Sequence, residues 1–221
     1  MRAAALWLAA ALLLAAAPAW AVSSISLVAI GDSIGAGYGL SAGENFPTYF
    51  ALYAPRTASL ALNDSTAGET CATHVTNIAT DEAALVGGDV NVAVIECGLN
   101  DLAQGASAAT TASRIATLCA DMHGAGFTVA LLTLSRAGSV SDTLVDGTNA
   151  LIVSQYRSWS CDVLVNMSAD PHYGEAATLT DTTWYQSDHV HPTDLGQHWW
   201  AGYVAGAVGT WLSNFATGVI P

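Results

Sequence analysis

The chain has 221 residues, of which 52% are hydrophobic and 10% are charged, and its formal net charge is −13 because 18 acidic residues outnumber 5 basic ones. All five basic residues are arginines, so Schiff-base and pyridoxal chemistry and a P-loop lysine are excluded. The acidic excess disfavours nucleic acid and anionic membrane surfaces as partners, and the apolar content excludes a disordered acidic protein.

The first segment predicts a signal peptide over residues 1–21. Met1-Arg2 is a positive start, an Ala/Leu run follows, and Ala19-Trp20-Ala21 fits a cleavage pattern. An uncleaved membrane anchor is the alternative, because the run approaches the roughly 20 residues that a spanning helix needs. Pro18 interrupts the run and favours cleavage. We expect a secreted or periplasmic protein, with one domain over residues 22–221 and no stable membrane insertion after cleavage.

Alternating strands and helices follow in chain order. Five continuous apolar runs predict parallel strands buried on both faces: Ile25–Ile30, Ala58–Leu62, Val90–Cys97, Phe127–Leu134 and Asp162–Met167. The predicted helices are Pro47–Tyr53, Thr66–Ile78, Ala108–His123, Leu144–Trp159 and Pro192–Phe215. This alternation predicts an α/β three-layer sandwich with a five-stranded parallel sheet in the flavodoxin-like order 2-1-3-4-5.

Four cysteines lie in the predicted domain, at Cys71, Cys97, Cys119 and Cys161. In an exported protein they suggest up to two disulfides, with three possible pairings. Right-handed connections place the third predicted helix and the fifth strand near the same edge of the sheet, which favours Cys119 with Cys161. Cys97 ends an apolar run and could instead remain a buried thiol. The sequence leaves the pairing open.

Residues able to carry chemistry stand at the predicted carboxyl ends of the strands, where such folds place their sites. They are Gly31-Asp32-Ser33, Ser65–Thr70, Gly98-Leu99-Asn100-Asp101 and, before the last helix, Asp188-His189-Val190-His191-Pro192. Acyl transfer by a serine needs a nucleophile, an imidazole base, a carboxylate and donors for the oxyanion. All of these residue types occur at this edge. Taken alone, Ser33 or Asp188 would be an ordinary turn or cap residue.

The last of these segments predicts a positioned imidazole. Pro192 is well placed as the first residue of the final helix, and it would hold His191 in an extended conformation. Asp188 stands three residues earlier and can reach the second ring nitrogen of His191. Ser33 lies in a tight turn flanked by glycine, Asn100 offers an amide donor, and Gly68 offers a backbone N–H without a side chain.

This arrangement resembles the GDSL, or SGNH, hydrolase family. Gly31-Asp32-Ser33 is similar to the first block of the family, Gly98-x-Asn100-Asp101 to the third, and Asp188-x-x-His191-Pro192 to the last. Ala67-Gly68-Glu69-Thr70 is a looser match to the second block, where relatives often have Ser before the glycine. The stretch Gly35-Ala36-Gly37-Tyr38-Gly39-Leu40 looks like the bacterial thioesterase I, arylesterase and lysophospholipase branch.

The resemblance implies that Ser33 attacks an ester carbonyl, that His191 acts first as a base and then as an acid, and that Asp188 orients the imidazolium. The N–H groups of Ser33 and Gly68 and the side chain of Asn100 would form the oxyanion hole. The implied substrates are small-molecule carboxylic esters with short to medium acyl, aryl or lysophospholipid-type groups, and a carbohydrate acetyl esterase is the alternative. No cofactor or metal is implied, and we expect a monomer.

Three rival interpretations remain. Gly37-x-Gly39-x-x-Ala42 formally fits a dinucleotide fingerprint with Asp64 about 20 residues further on, but it begins six residues after Gly31. His189-x-His191, with Asp188 and Asp194 nearby, could bind a metal.

The third alternative is a non-enzymatic secreted binding module. Trp184 and Tyr185 lie in a long segment of low periodicity, residues 168–190, just before Asp188. Loops of this length in a compact domain are often functional, so these two rings could form the wall of a substrate cleft. Core packing is the ordinary use of such aromatic residues.

Overall fold

Five parallel strands form one sheet in the order β2-β1-β3-β4-β5, which confirms the predicted order. They are β1 (Ile25–Gly31), β2 (Ala58–Ser65), β3 (Val90–Glu96), β4 (Thr128–Leu132) and β5 (Val163–Val165). The computed structural model describes residues 24–87 and 90–217. The predicted signal peptide over residues 1–21 therefore lies outside the described residues.

Helices cover both faces of the sheet and complete the predicted three layers. They are α1 (Ser33–Ala36), α2 (Phe46–Tyr53), α3 (Cys71–Asn77), α4 (Ala79–Glu82), α5 (Leu99–Ala103), α6 (Ala108–Gly124), α7 (Asp142–Gln155) and α8 (Asp194–Thr217). Helices α2 and α8 pack against the face that carries Ile25 and Leu27, and α3 and α6 against the face that carries Val28 and Ile30. Successive strand residues point to opposite faces, so the sheet separates two apolar cores.

Strand β2 differs from the prediction that all strands are buried on both faces. Its first four residues alternate between half-buried and exposed, with Ser59 and Ala61 exposed. The reason is its place in the sheet, because β2 is an edge strand that pairs with β1 alone. The continuous burial expected of parallel strands holds for the central β1 and β3.

Two helices begin later than predicted. The helix expected from Thr66 begins at Cys71, because Thr70 is extended and its hydroxyl accepts a hydrogen bond from the N–H of Thr73 at 3.2 Å. The last helix begins at Asp194 and not at Pro192. Pro192 instead pairs with Tyr185 in an isolated antiparallel bridge. A threonine or other hydroxyl residue at a helix start satisfies an otherwise unpaired N–H, so capping decides where these helices begin.

Two disulfides join Cys71 to Cys97 and Cys119 to Cys161. The second pairing confirms the one favoured from topology, whereas the suggestion that Cys97 remains a thiol is wrong. The bond between Cys71 and Cys97 connects the first residue of α3 to the residue that follows β3. It therefore ties together two chain segments at the carboxyl edge of the sheet.

The segment between β5 and α8 is irregular, as its sequence indicated. Its only regular pieces among the described residues are two short 3₁₀ turns, Met167–Ala169 and Ala176–Thr178. Within the described ranges, no helix has both the length and the apolar character needed to cross a bilayer.

Candidate active site

Ser33 is the first residue of α1, directly after the carboxyl end of β1. Asp32 caps this one-turn helix, because its carboxylate accepts a hydrogen bond from the N–H of Ile34 at 2.9 Å. A side chain at Gly35 would place its Cβ 2.4 Å from Ser65 Oγ, so the turn packs directly on the end of β2. Ser33 itself is half-buried. Its N–H, in the first turn of a helix, has no acceptor within the described part of the chain.

His191 joins Ser33 to Asp188 through both ring nitrogens. Its Nε2 lies 2.8 Å from Ser33 Oγ and its Nδ1 lies 2.6 Å from Asp188 Oδ2. An ionised carboxylate only accepts, so Nδ1 carries the proton and Nε2 is left to accept from the serine hydroxyl. The structure thus brings together the three predicted catalytic residues, although 158 positions separate Ser33 from His191.

Asp188 is held in a local turn that keeps it ionised. Its second oxygen, Oδ1, accepts hydrogen bonds from the backbone N–H groups of Val190 and His191, both at 3.0 Å. Desolvation would raise the pKa of Asp188, but the hydrogen bonds from the His191 ring and from these N–H groups outweigh it and lower the pKa below its ordinary value. The carboxylate is therefore charged at neutral pH.

Gln186 links the histidine segment to the loop after α1. Its backbone N–H donates to His191 O at 2.8 Å, and its side-chain amide donates to Tyr38 O at 2.7 Å and to Pro192 O at 2.9 Å. The loop lies directly against the Gln186 side chain at Gly39, whose φ of 80° is a backbone conformation that favours glycine. The sequence gives no sign of the contact between Gln186 and Tyr38, because 148 positions separate the two residues.

A second glutamine, Gln197, links helix α8 to the turn that carries Ser33. Gln197 is buried, and its side chain accepts from Phe46 N–H at 2.8 Å and donates to Ile34 O at 2.9 Å. One side chain of α8 thus satisfies a backbone group in α1 and another in α2. Buried polar groups must be paired in this way, so the docking of α8 and the shape of the Ser33 turn depend on each other.

The predicted oxyanion donors meet at the neighbouring strand ends. Asn100 Nδ2 donates to Glu69 O at 2.9 Å and, through a longer contact, to Asp32 Oδ2 at 3.3 Å. Gly68 is exposed with a φ of 84°, and no described residue accepts from its N–H. Asp32 directly precedes Ser33, so the Asn100 amide lies beside the turn that carries Ser33.

Asp101 anchors this edge without reaching the serine. Its buried carboxylate accepts from the N–H of Cys71 at 2.7 Å and from Arg114 Nη1 at 2.7 Å. Together with the disulfide from Cys71 to Cys97, these bonds hold the start of α3 against α5. The loop that carries Gly68 is therefore fixed at its far end.

Two buried carboxyl groups, those of Asp32 and Glu96, lie at the turn that carries Ser33. Glu96 Oε2 accepts from the N–H groups of Gly35 at 3.2 Å and Asp32 at 3.4 Å. Burial raises the pKa of Asp32 to about 7, and burial and the nearby Asp32 raise the pKa of Glu96 well above its ordinary value. The sequence pattern places Glu96 inside the predicted strand Val90–Cys97, but it does not show that the carboxylate accepts from the N–H groups of the turn that carries Ser33.

We expect Glu96→Gln to weaken the pH dependence of stability. Both acids bind protons more tightly in the folded state, so the free energy of unfolding of the wild type falls as pH rises from about 4 through the raised pKa values. Glutamine keeps an oxygen for both N–H groups but cannot ionise. The slope of the free energy of unfolding against pH should become shallower by roughly 1 kcal/mol per pH unit, which corresponds to one proton at most. Urea unfolding between pH 5 and 8 measures it.

Glu175→Gln is the matched control, because that carboxylate is exposed. Its unfolding curve should retain the wild-type pH dependence. Parallel curves for the wild type and Glu96→Gln would show that Glu96 does not contribute to the pH dependence.

Trp184 and Tyr185, which the sequence predicts to form the wall of a substrate cleft, lie in two different environments. Tyr185 is 1% exposed, and its hydroxyl donates to Arg136 O at 3.1 Å, so its ring has no surface to offer a ligand in this structure. Trp184 is half-buried and stacks on His172 with ring centroids 3.9 Å apart. Tyr38, which the sequence analysis did not single out, is 54% exposed and lies 4.6 Å from the His191 ring.

Neither the metal nor the dinucleotide alternative gains support at this edge. The ring of His189 is hydrogen-bonded to Leu179 O at 2.7 Å, and both nitrogens of His191 are engaged by Asp188 and Ser33. Gly37 and Gly39 follow α1 and do not form the turn between a strand and a helix that a dinucleotide fingerprint requires.

Comparisons with known proteins show the family of the chain and agree with its fold. The model of the GDSL-like lipase/acylhydrolase family matches residues 29–199. The structure of TesA superposes with a TM-score of 0.66 and 19% identity, covering 84% of this chain and 99% of its own. The psychrotrophic esterase EstA from Pseudoalteromonas sp., inhibited by monoethylphosphonate, gives 0.66 and 17%, covering 86% and 99%. AlinE4, a SGNH-hydrolase family esterase, gives 0.60 and 21%, covering 90% and 97%. No curated protein matches the sequence.

Proposed function

Since the chain belongs to the GDSL-like lipase/acylhydrolase family and is a carboxylic-ester hydrolase, we propose that it cleaves its substrates with a triad of Ser33, His191 and Asp188 through an acyl-enzyme. The observation that carries the proposal is the continuous pair of hydrogen bonds from Ser33 Oγ to His191 Nε2 at 2.8 Å and from His191 Nδ1 to Asp188 at 2.6 Å. A serine is a weak nucleophile unless a base removes its proton, and this arrangement supplies the base.

In the first half of the reaction, His191 Nε2 takes the hydroxyl proton while Ser33 Oγ bonds to the ester carbonyl carbon. The carbonyl oxygen becomes an oxyanion, which accepts hydrogen bonds from the N–H groups of Ser33 and Gly68 and from Asn100 Nδ2. The intermediate then collapses, the bond to the alcohol oxygen breaks, and His191 donates its proton to that oxygen. An acyl group remains on Ser33.

In the second half, water replaces the alcohol. His191 takes a proton from the water as its oxygen attacks the acyl carbon, and it then returns the proton to Ser33 Oγ as the carboxylic acid leaves. The imidazole is positively charged twice in each cycle. Asp188 stays ionised and holds Nδ1–H in place, so it stabilises that charge at both stages.

The substrates that fit best are neutral esters with short to medium acyl, aryl or lysophospholipid-type groups. Gly68 and Tyr38 are both exposed, which supports an open site that admits a varied alcohol group. Tyr38 lies beside His191 and offers its ring to an apolar part of the ester. The net charge of −13 disfavours the approach of anionic substrates.

We further propose that the chain acts outside the cytoplasm. The two disulfides support this location, because such bonds persist in oxidising compartments. The predicted signal segment over residues 1–21 agrees with it.

An ester panel together with a serine-reactive phosphonate tests the proposed function. We expect hydrolysis of neutral p-nitrophenyl esters to be fastest for short to medium acyl chains, and the phosphonate to label one residue, Ser33, with loss of activity. Acetylated sugars, thioesters and lysophospholipids in the same panel identify the preferred alcohol. Labelling at another serine, or ester cleavage that survives full labelling, would contradict the proposal.

A further inference from the structure

A second group of chemically active side chains lies away from the proposed triad. It consists of Asp64 at the end of β2, His74 in α3 and Asp81 in α4, and one ligand atom from each lies within 4.8 Å of the other two. His74 Nδ1 is 3.4 Å from Asp64 Oδ2. Three separate elements therefore direct an imidazole and two carboxylates toward one point.

Asp81 is the residue that the fold alone does not explain. It is 0% exposed, and neither of its carboxylate oxygens has a hydrogen-bond donor among the residues that the structure describes. Leaving a buried acceptor without a partner costs about 1 to 3 kcal/mol, and more when it is charged. A cation at this point would give both oxygens a partner, as buried charged groups require.

His74 is oriented as a metal ligand would be. Its Nε2–H donates to Gly31 O at 2.9 Å, and its Nδ1 lies on the side of the two aspartates, 3.4 Å from Asp64 Oδ2. Metal-binding histidines usually donate their other ring N–H to a carbonyl or carboxylate, because that bond fixes the tautomer and the ring orientation.

We propose that Asp64, His74 and Asp81 bind a zinc ion, with water as the fourth ligand. Zinc takes imidazole and carboxylate ligands at about 2.0 to 2.2 Å, so two ligands in a tetrahedral site lie about 3.3 to 3.6 Å apart. The observed 3.4 Å between His74 Nδ1 and Asp64 Oδ2 fits this distance. The ring nitrogen disfavours calcium and magnesium, which prefer all-oxygen sites. The side chain of Asp64 is 31% exposed and opens a path for the ion.

The ion would stabilise the fold and take no part in the ester chemistry. It would join β2, α3 and α4 and, through His74, would hold the carbonyl of Gly31, where β1 ends. The proposed site does not use the His189-x-His191 pair, and it does not depend on the proposed function.

Metal titration of the full, untagged chain tests the site after treatment with a chelator. We expect one Zn²⁺ to bind per chain and to raise the melting temperature, and Co²⁺ to bind with the visible d–d absorption of a tetrahedral site. Asp81→Asn should weaken the binding by more than about tenfold, since even indirect partners of a metal contribute 10- to 100-fold. Asp64→Asn, at a partly exposed position, should do the same and is available if Asp81→Asn fails to fold.

His123→Gln is the matched control. His123 Nδ1 lies 3.4 Å from Asp162 Oδ2, the same separation as in the proposed site, but the pair has no third ligand among the described residues. This variant should bind zinc as the wild type does. Absence of a bound ion in the wild type at micromolar zinc would overturn the proposal, and so would wild-type zinc affinity in both aspartate variants. If Asp81→Asn is more stable than the wild type and zinc has no effect on the wild type, Asp81 is a buried protonated acid and the proposal is overturned.

Discussion

Replacing Ser33 with alanine should lower kcat for a neutral p-nitrophenyl ester by on the order of 10⁶. The hydroxyl that His191 Nε2 contacts at 2.8 Å is lost, and no acyl-enzyme can form. The backbone of α1 should remain, because Asp32 caps the helix and Gly35 packs on β2 regardless of the side chain at position 33. The measurement is kcat and KM over a range of ester concentrations, with circular dichroism to confirm the fold.

A His191→Ala variant makes this test more stringent. His191→Ala should lower kcat by a similar factor, and the double variant should be no worse than either single one, because residues that act as a unit give strongly non-additive effects. Ser41→Ala, at an exposed position in the loop after α1, is the control and should retain wild-type activity. If Ser33→Ala keeps more than a small fraction of the wild-type kcat, the assigned nucleophile is wrong.

Asn100→Ala should lower kcat by about 10² to 10³ while changing KM much less. The oxyanion exists only after attack, so the lost hydrogen bond from Nδ2 weakens the transition state more than the bound ester. In the free protein, Asn100 gives this donor to Glu69 O at 2.9 Å and only weakly to Asp32 at 3.3 Å. The measurement is the separate determination of kcat and KM.

Asn100 also holds the loop that carries Gly68, and this second effect needs its own control. Gln104 donates to Gly68 O at 3.3 Å and supports the same loop without being an oxyanion donor in our proposal. Gln104→Ala should therefore leave kcat within a few-fold of wild type. Equal losses in the two variants would assign the effect of Asn100 to loop position and remove it from the oxyanion hole.

The sequence predicts the sheet well because each strand is marked by a short, local run of mainly apolar residues. The runs of β1 and β3 are mainly apolar, and helices between the strands force parallel pairing and right-handed connections. Because the carboxyl ends of parallel strands lie at one edge of the sheet, the predicted topology also places Ser33 near His191. The short motifs around these residues needed no knowledge of their distant neighbours.

What the sequence does not predict depends on contacts between distant segments. Nothing local shows that Glu96 accepts N–H groups from the nucleophile turn, or that Tyr185 is buried against Tyr173. Pro192 has the features of a helix start, yet it pairs with Tyr185 in a bridge, and Thr193 accepts from the N–H of Gly196 at the true start of α8. Tertiary partners decide each of these outcomes, and local propensity is overruled.

The link that Gln197 makes from α8 to α1 and α2 has a consequence for how the chain is produced. A polypeptide leaves the ribosome from its amino end, so the turn that carries Ser33 emerges first, and His191 emerges 158 residues later. Until α8 docks and Gln197 satisfies the carbonyl of Ile34, the serine has no base beside it. A growing chain would therefore carry an inert hydroxyl, and hydrolytic activity would begin only when α8 docks.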